Sequence, residues 1–533
     1  MTDNSDAREP VIARRRLLLL VVVALLAAMA FAMVTTAVRQ TSVTDEPVYV
    51  GTAVVYLQQH SLRYNAEHPP LGKLIIGAGL AFAHPVLDPA FVRDHWALGH
   101  EVLYESGNDA DRLLLLARLP MIVLTLLFGL VVFAFARDLT GPRGGLVALT
   151  LYAFSPDVIA HGSLATLDVP AAGFLITSLW LVWRARGRPR LYLPLAGLAL
   201  GAALATRMSV LPVVPVVLAL AVVAARGRRN RLLAPALVAV VAVAFVWVSY
   251  LVVDPTLTWV TPPEVPVLHG LRALAADWAP FPRPYRDGMR IQFGFEDDTF
   301  GGFLFGRQYQ GHLWYYLPAA LLVKTPLGAL VLWLAGAGTM LASRRPRPAA
   351  AYVLLPALIL LVVALPGARD FGVRYVIILP MLLPVAAASV VTLRPRWTHV
   401  VTVALLAFVA VSSIRTYPYY LPYSNEAFGG PAKTYLRLHD SNVDWGQDLG
   451  RLADRLRQDY PNEQIWLVYK GNGDPGYYGI VAGDPLSVAP AEVHGIVAIS
   501  DDAIDKAEPA LKSLISTSTP IDEVGHSITI FRR

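Results

Sequence analysis

The chain contains no cysteine. Disulfides, thiolate metal sites and cysteine nucleophiles are therefore excluded, and the redox compartment is left unread. Charge is scarce as well: only 16% of the 533 residues are Asp, Glu, Lys or Arg, against about 25% in soluble proteins. Hydrophobic residues make up 55% of the chain and the mean hydropathy is +0.50. Several apolar runs of about 20 residues predict a polytopic α-helical membrane protein. The net charge of +6 does not point to nucleic acid. Its arginines gather in short segments between apolar runs, the positive-inside pattern of a chain whose medium is the lipid bilayer.

The apolar pattern predicts about eleven spans: residues 17–38, 113–136, 146–160, 169–183, 191–205, 210–225, 232–253, 312–342, 350–365, 375–392 and 398–414. The first follows Arg14-Arg15-Arg16 and is too long for a signal-peptide core, so it is expected to be retained. Every inferred cytoplasmic segment is Arg-rich, which is expected of a multi-pass protein of the cell membrane with its N-terminus in the cytoplasm and its C-terminus outside. Pro326 offers a break in the eighth span. Two long outer loops are expected, at 39–111 and 254–311. Within the first, Val48–Leu57 and Leu74–Phe82 read as helices lying on the bilayer surface. Residues 1–414 thus form a membrane domain, and 415–533 a small extracytoplasmic α/β domain. Its expected elements are a helix over Leu449–Tyr460 and strands at Ile465–Tyr469, Ile496–Ile499 and Ile528–Phe531.

The charges outside the basic segments carry the functional signal. Asp45, Glu46, His68, Lys73, Asp168, Arg207, Lys324 and Arg374 all fall near expected outer ends of spans. Ionisable groups there are costly unless solvated, paired or used. Adjacent carboxylates at 45 and 46 would raise one another's pKa, which suits a general base near neutral pH. Arg and Lys are natural partners of phosphate. Each also has a plain structural reading. Asp168 could cap a helix, Lys324 could snorkel, and His68 could be a turn residue beside Pro69 and Pro70. Glu296-Asp297-Asp298 reads as a solvated loop, and Trp314-Tyr315-Tyr316 as an interfacial belt. The sequence presents no metal-ligand cluster and implies no cofactor.

Together, Asp45-Glu46, His68-Pro-Pro-Leu71, Ala165-Thr-Leu-Asp168-Val-Pro170 and Ala205-Thr-Arg207-Met-Ser209 resemble glycosyltransferase family 39. So do Trp314-Tyr-Tyr-Leu-Pro318, Leu322-Val-Lys324-Thr-Pro326 and Arg374-Tyr375. That family holds the protein O-mannosyltransferases and related phospholipid-carrier enzymes of the GT-C superfamily. Asp440-Ser-Asn-Val-Asp-Trp-Gly-Gln-Asp448 resembles the start of the outer domain in many bacterial members.

The resemblance implies a GT-C fold and inverting transfer of a monosaccharide from a polyprenyl-phosphate donor at the outer face. It implies Asp45 as the base, supported by Glu46. Arg374, Lys324, Arg207 and Lys73 would hold the donor phosphate, while Asp168 and His68 position substrate. A phosphate leaves readily, so the resemblance implies no metal. The loop at 254–311 is too short for the β-trefoil of the protein mannosyltransferases, and the α/β tail is not theirs. The sugar and the acceptor, protein, lipid or glycan, therefore stay open. The sugar could equally be a pentose or aminosugar passed to a lipid or polysaccharide. A lipid-sugar transporter and a non-catalytic envelope scaffold are the readings from other classes. The charges gather on one face and no halves stand in register, which argues against transport.

Overall fold

The structure is a computed structural model that describes residues 9–533. Among the described residues, five helices are long and apolar enough to cross a membrane: Ala13–Arg39, Ala110–Thr140, Arg228–Val253, Arg347–Ala364 and Arg396–Thr416. They coincide with the expected first, second, seventh, ninth and eleventh spans. The expected eighth span is a sixth candidate, broken into Tyr316–Lys324 and Leu327–Ala342 with a bend of 116°. Thr325-Pro326 sits at that break, where proline cannot continue the backbone ladder.

The remaining expected spans are helices that are shorter or less apolar. Asp168–Ala185 and Pro189–Thr206 form a tightly packed pair. The expected third span is two pieces, Pro142–Ala153 and Pro156–Gly162, because Pro156 restarts the helix after Ser155. The expected sixth begins as a tight turn, Met208–Val213, before Val214–Ala224. The expected tenth is Ile378–Ala387 between tight turns at Val373–Val376 and Ala388–Thr392.

The helix Glu46–Gln59 departs from its expected surface location. All residues from Glu46 to Tyr56 are buried, so no apolar face remains to lie on a bilayer. Its two sides are taken by the short helix His95–His100 and by Leu71–Leu80. A hairpin, Gly301–Leu304 with Arg307–Gln310, interrupts the 254–311 segment.

The C-terminal sheet has the order Ile465–Val468, Ile496–Ser500, Ile528–Arg532, Thr519–Val524. The first pair is parallel and the other two antiparallel. The helix Leu449–Asp459 packs its leucines on this sheet. The strand Thr519–Val524 escapes a sequence reading because it lies at the edge and is mostly exposed. Composition changes near residue 415, yet Tyr420, Leu421, Leu438, Val443 and Trp445 are buried in the membrane core, and a separate core begins at Leu449.

One buried ion pair ties these parts together. Arg118, in the helix Ala110–Thr140, donates from Nε and Nη2 to the two Glu46 carboxylate oxygens at 2.7 and 2.6 Å. Its remaining N–H groups reach the carbonyls of Ala37, Gln40 and Thr41 at 2.7–2.8 Å. These carbonyls lie at and just beyond the C-terminal end of the first helix, where backbone acceptors lack intrahelical partners. Glu46 also accepts from the backbone N–H of Val43 at 3.0 Å and of Ala165 at 2.8 Å. Both side chains are at most 1% exposed.

Removing one partner from such a pair leaves an uncompensated buried charge. Arg118→Met is expected to cost about 3–5 kcal/mol, read as a fall in thermal midpoint and in monodisperse yield. Adding Glu46→Met should restore much of the loss. A single variant as stable as the parent would remove the pair from this role.

Candidate active site

Asp45 immediately precedes the helix Glu46–Gln59, which Pro47 helps to start. Its carboxylate accepts from Arg374 Nη1 at 2.6 Å, and the two side chains are 20% and 7% exposed. Asp45 is thus partly exposed, whereas Glu46, one residue on, is turned into the core. The expectation of two carboxylates sharing one environment is corrected here. The acceptor positions of Glu46 are filled by Arg118 and two backbone N–H groups, so it braces the site rather than offering a second base.

Arg374 projects from the tight turn Val373–Val376. The backbone N–H of Val373 donates to Asn442 Oδ1 at 3.1 Å, and Asn442 in turn donates to the Tyr316 hydroxyl at 2.9 Å. Ser441 donates to the carbonyl of Phe371. Gly372, at φ 133°, lies so close that a Cβ there would fall 2.4 Å from Ser441 Oγ. The C-terminal segment therefore places the turn that carries Arg374. The guanidinium lies 4.4 Å from the Trp445 ring and 5.2 Å from the Tyr375 ring, both within cation–π range.

Arg207 follows the helix Pro189–Thr206 and pairs with Asp168, the first residue of the helix Asp168–Ala185. Its guanidinium is 5.6 Å from the Tyr375 ring. Arg369 approaches the same ring at 5.9 Å and also contacts Gln292 and Glu296. Three arginines thus gather around Tyr375. The Nε atoms of Arg369 and Arg374 are buried and without hydrogen-bond partners. So is Nδ1 of His68, whose ring packs edge-on against Tyr49 at 5.8 Å. Burial, with the positive charges of Arg207 and Lys73 nearby, drives the His68 pKa well below its ordinary value and keeps the ring neutral.

The two lysines expected in the phosphate site are spent elsewhere. Lys73 donates to the carbonyls of Asn65 and His68 and to Asn65 Oδ1, at 2.7–3.0 Å. Lys324 donates to the carbonyls of Leu421 and Asn442 and stands 3.5 Å from Asp157. An ammonium has three N–H donors, and in both lysines three acceptors lie around it. Both are at most 1% exposed. The first holds the turn before the helix Leu71–Leu80, and the second closes the broken helix against the C-terminal segment.

Arg118, Asp157, Arg369, Tyr375, Tyr49 and Trp445 were not singled out in the sequence. Arg369 and Tyr375 could have been found from their spacing around Arg374 in Gly367-Ala-Arg-Asp-Phe-Gly-Val-Arg-Tyr375. Arg118 sits within an apolar run and gives no local sign of its partner 72 residues away. Beside the site, an apolar groove of about 840 Å³ is lined by Leu71, Ile75, Phe82, Leu116, Pro120 and Ala202 among others. Leu71 lies three residues from His68, and Ala202 lies on the helix that ends at Arg207.

The family model described as dolichyl-phosphate-mannose-protein mannosyltransferase matches residues 112–253. That stretch holds Arg118, Asp168 and Arg207, but not Asp45 or Arg374. Among solved structures, ArnT from Cupriavidus metallidurans bound to undecaprenyl phosphate superposes with a TM-score of 0.52 at 14% identity, covering 96% of this chain and 97% of that one. The S. cerevisiae protein O-mannosyltransferase Pmt1–Pmt2 complex bound to the sugar donor matches at 16% identity and a TM-score of 0.35, over 45% of this chain and 33% of that one. No curated protein matches the chain. The chain is a multi-pass membrane protein with the fold of that ArnT, similar over residues 112–253 to the family described as dolichyl-phosphate-mannose-protein mannosyltransferase.

Proposed function

We propose that the protein transfers a monosaccharide from a polyprenyl-phosphate donor to an acceptor at the extracytoplasmic face, with inversion. The observation that carries this reading is the gathering of Arg374, Arg207 and Arg369 around Tyr375, beside the partly open Asp45 carboxylate. Guanidinium forks with unpaired N–H groups suit a phosphate. The adjoining apolar groove suits an isoprenoid tail. ArnT, whose fold this chain shares, was captured with undecaprenyl phosphate, which agrees with a donor on a polyprenyl carrier.

In this reading the acceptor's nucleophilic oxygen or nitrogen attacks the anomeric carbon from the face opposite the phosphate. The C–O bond to phosphate breaks as the new glycosidic bond forms, and the electron pair leaves with polyprenyl phosphate. Asp45 takes the acceptor's proton. The arginines meet the charge that grows on the leaving phosphate oxygen, where preorganised donors have most effect. Asp45 pairs with Arg374, so a donor phosphate that engages this guanidinium competes with the carboxylate and frees it toward the acceptor. Asp168 holds Arg207 in place, and neutral His68 offers a ring nitrogen to substrate. The metal-independent chemistry inferred from the resemblance needs only these groups.

Release of polyprenyl phosphate tests the reading. Purified protein in liposomes would be given labelled hexose, pentose and aminosugar donors, with and without an extract of envelope acceptors. Asp45→Asn is expected to lower turnover by about 10²–10⁴-fold, the usual contribution of a general base, while donor binding persists. A variant that turns over like the parent would sink the assignment. Acceptor-dependent consumption of one donor names the sugar, whereas donor binding without turnover in the parent favours the scaffold reading.

The division among the cations makes a second prediction. Arg369→Gln and Arg374→Gln should lower turnover by about 10²–10³-fold in protein that remains folded, as for loss of one transition-state donor. Lys324→Met and Lys73→Met should instead lower thermal midpoint and yield. Folded, stable lysine variants with a selective turnover defect would return those lysines to the phosphate site.

A further inference from the structure

A second cluster lies where the C-terminal segment meets the α/β domain. His439 and Asp440 come from the segment, and Asp502 from the short helix Asp501–Asp505 that follows the central strand Ile496–Ser500. One ligand-capable atom from each of the three lies within 4.8 Å of the others. His439 is fully buried, yet neither ring nitrogen has a hydrogen-bond partner. Its Nδ1 stands 3.6 Å from Asp502 Oδ1, too far for a hydrogen bond.

The surroundings are strongly acidic. Asp444, Asp501, Asp502 and Asp505 are buried and Asp440 is half-buried. Asp444 Oδ2 and Asp505 Oδ2 are also buried without partners. Lys506 approaches Asp502 at 3.1 Å and Arg374 acts on Asp440 from the membrane side, so two cations face five carboxylates. Thr529 serves Asp501, and backbone N–H groups serve Asp440, Asp444 and Asp502 with single bonds. Buried carboxylates left with so little compensation are costly. A positive ion among them would resolve both the excess charge and the unpartnered imidazole.

We propose that His439, Asp440 and Asp502 bind a divalent transition-metal cation that clips the C-terminal α/β domain to the membrane domain. One imidazole with two carboxylates is a nitrogen and oxygen set that suits Zn²⁺ or Mn²⁺ rather than the all-oxygen shell preferred by Ca²⁺. Water would complete the coordination, with Asp444 close enough in sequence to join. The role is structural. Asn442, three residues after His439, bonds the backbone of Val373 next to Arg374, so an ion here would stiffen the segment from which the arginine turn hangs. The absence of a metal cluster from the sequence reading is thereby revised: the ligands are separated by 62 residues, and only the fold assembles them. The inference does not depend on the proposed transfer reaction.

The full chain, stripped with chelator in detergent and then dialysed against Zn²⁺ or Mn²⁺, should retain about one ion per molecule after gel filtration, with a higher thermal midpoint that chelator reverses. His439→Gln and Asp502→Asn should weaken binding by more than about 10-fold. Anomalous diffraction from crystals of the metal-loaded parent should place the ion between His439 and Asp502, and this reading holds even where the variants fail to fold. Retention of no ion, an unchanged affinity in both variants, or an ion located elsewhere would each overturn the proposal. The first of these would leave His439, Asp502 and Lys506 as a protonation-dependent ion cluster.

Discussion

The structure depends on the burial of one carboxylate, Glu46, beside one guanidinium, Arg118. Neither charge can stay in the core alone, and together they are tolerated only because every remaining hydrogen-bonding position is filled. The fillers are backbone groups from three places: the end of the first helix, the residues before Asp45, and the loop before Asp168. That requirement fixes the entry to the helix Glu46–Gln59, and so fixes Asp45. Two adjacent acids meet opposite fates because a helix start turns successive side chains in different directions. One becomes part of the scaffold and the other stays partly exposed.

The same logic sorts the cations. An ammonium is a compact point charge with three donors, well matched to three converging carbonyls. Lys73 and Lys324 are used in much this way, the first on the carbonyls of Asn65 and His68 and Asn65 Oδ1, the second on the carbonyls of Leu421 and Asn442 beside Asp157. A guanidinium has five N–H donors, and a single carboxylate or a pair of side-chain oxygens does not exhaust them. Arg374 and Arg369 keep N–H groups unspent while their planar faces rest near Tyr375. The chain thus spends lysine largely on its own backbone, while its arginines retain the donors that the proposed phosphate site requires.

Much of this was legible in the sequence where the signal is local. Long apolar runs flanked by arginines marked the five long helices, Pro326 marked the break, and apolar β-branched clusters marked three of the four C-terminal strands. Asp45, Asp168, Arg207 and Arg374 were found because a charge beside an apolar run stands out. The signal failed where a contact is long-range. Whether Lys324 faces a cavity or three acceptors depends on Leu421 and Asn442, about a hundred residues away. Arg118 looked like a blemish in an apolar helix. The buried state of Val48–Tyr56 was hidden because periodicity shows that a helix has an apolar face but not what covers it. The clustered His439, Asp440 and Asp502 were hidden for the same reason.

The C-terminal segment is best understood as part of the site rather than as an appendage to it. The backbone N–H groups of Thr41 and Thr44 donate to the carbonyls of Gln447 and Trp445 at 3.0 and 2.9 Å. Asn472 adds a bond to the carbonyl of Thr44 at 2.8 Å. These contacts hold the residues directly before Asp45. On the opposite side of the same segment, Asn442 and Ser441 hold the turn that carries Arg374. Trp445 supplies the face on which that guanidinium rests. Asp45 and Arg374 are 329 residues apart in the chain, and nothing local sets their separation. What brings them to 2.6 Å is one stretch of irregular backbone pinned to both. A soluble-looking tail therefore sets the geometry of a candidate site whose proposed reactive side chains all come from the membrane domain.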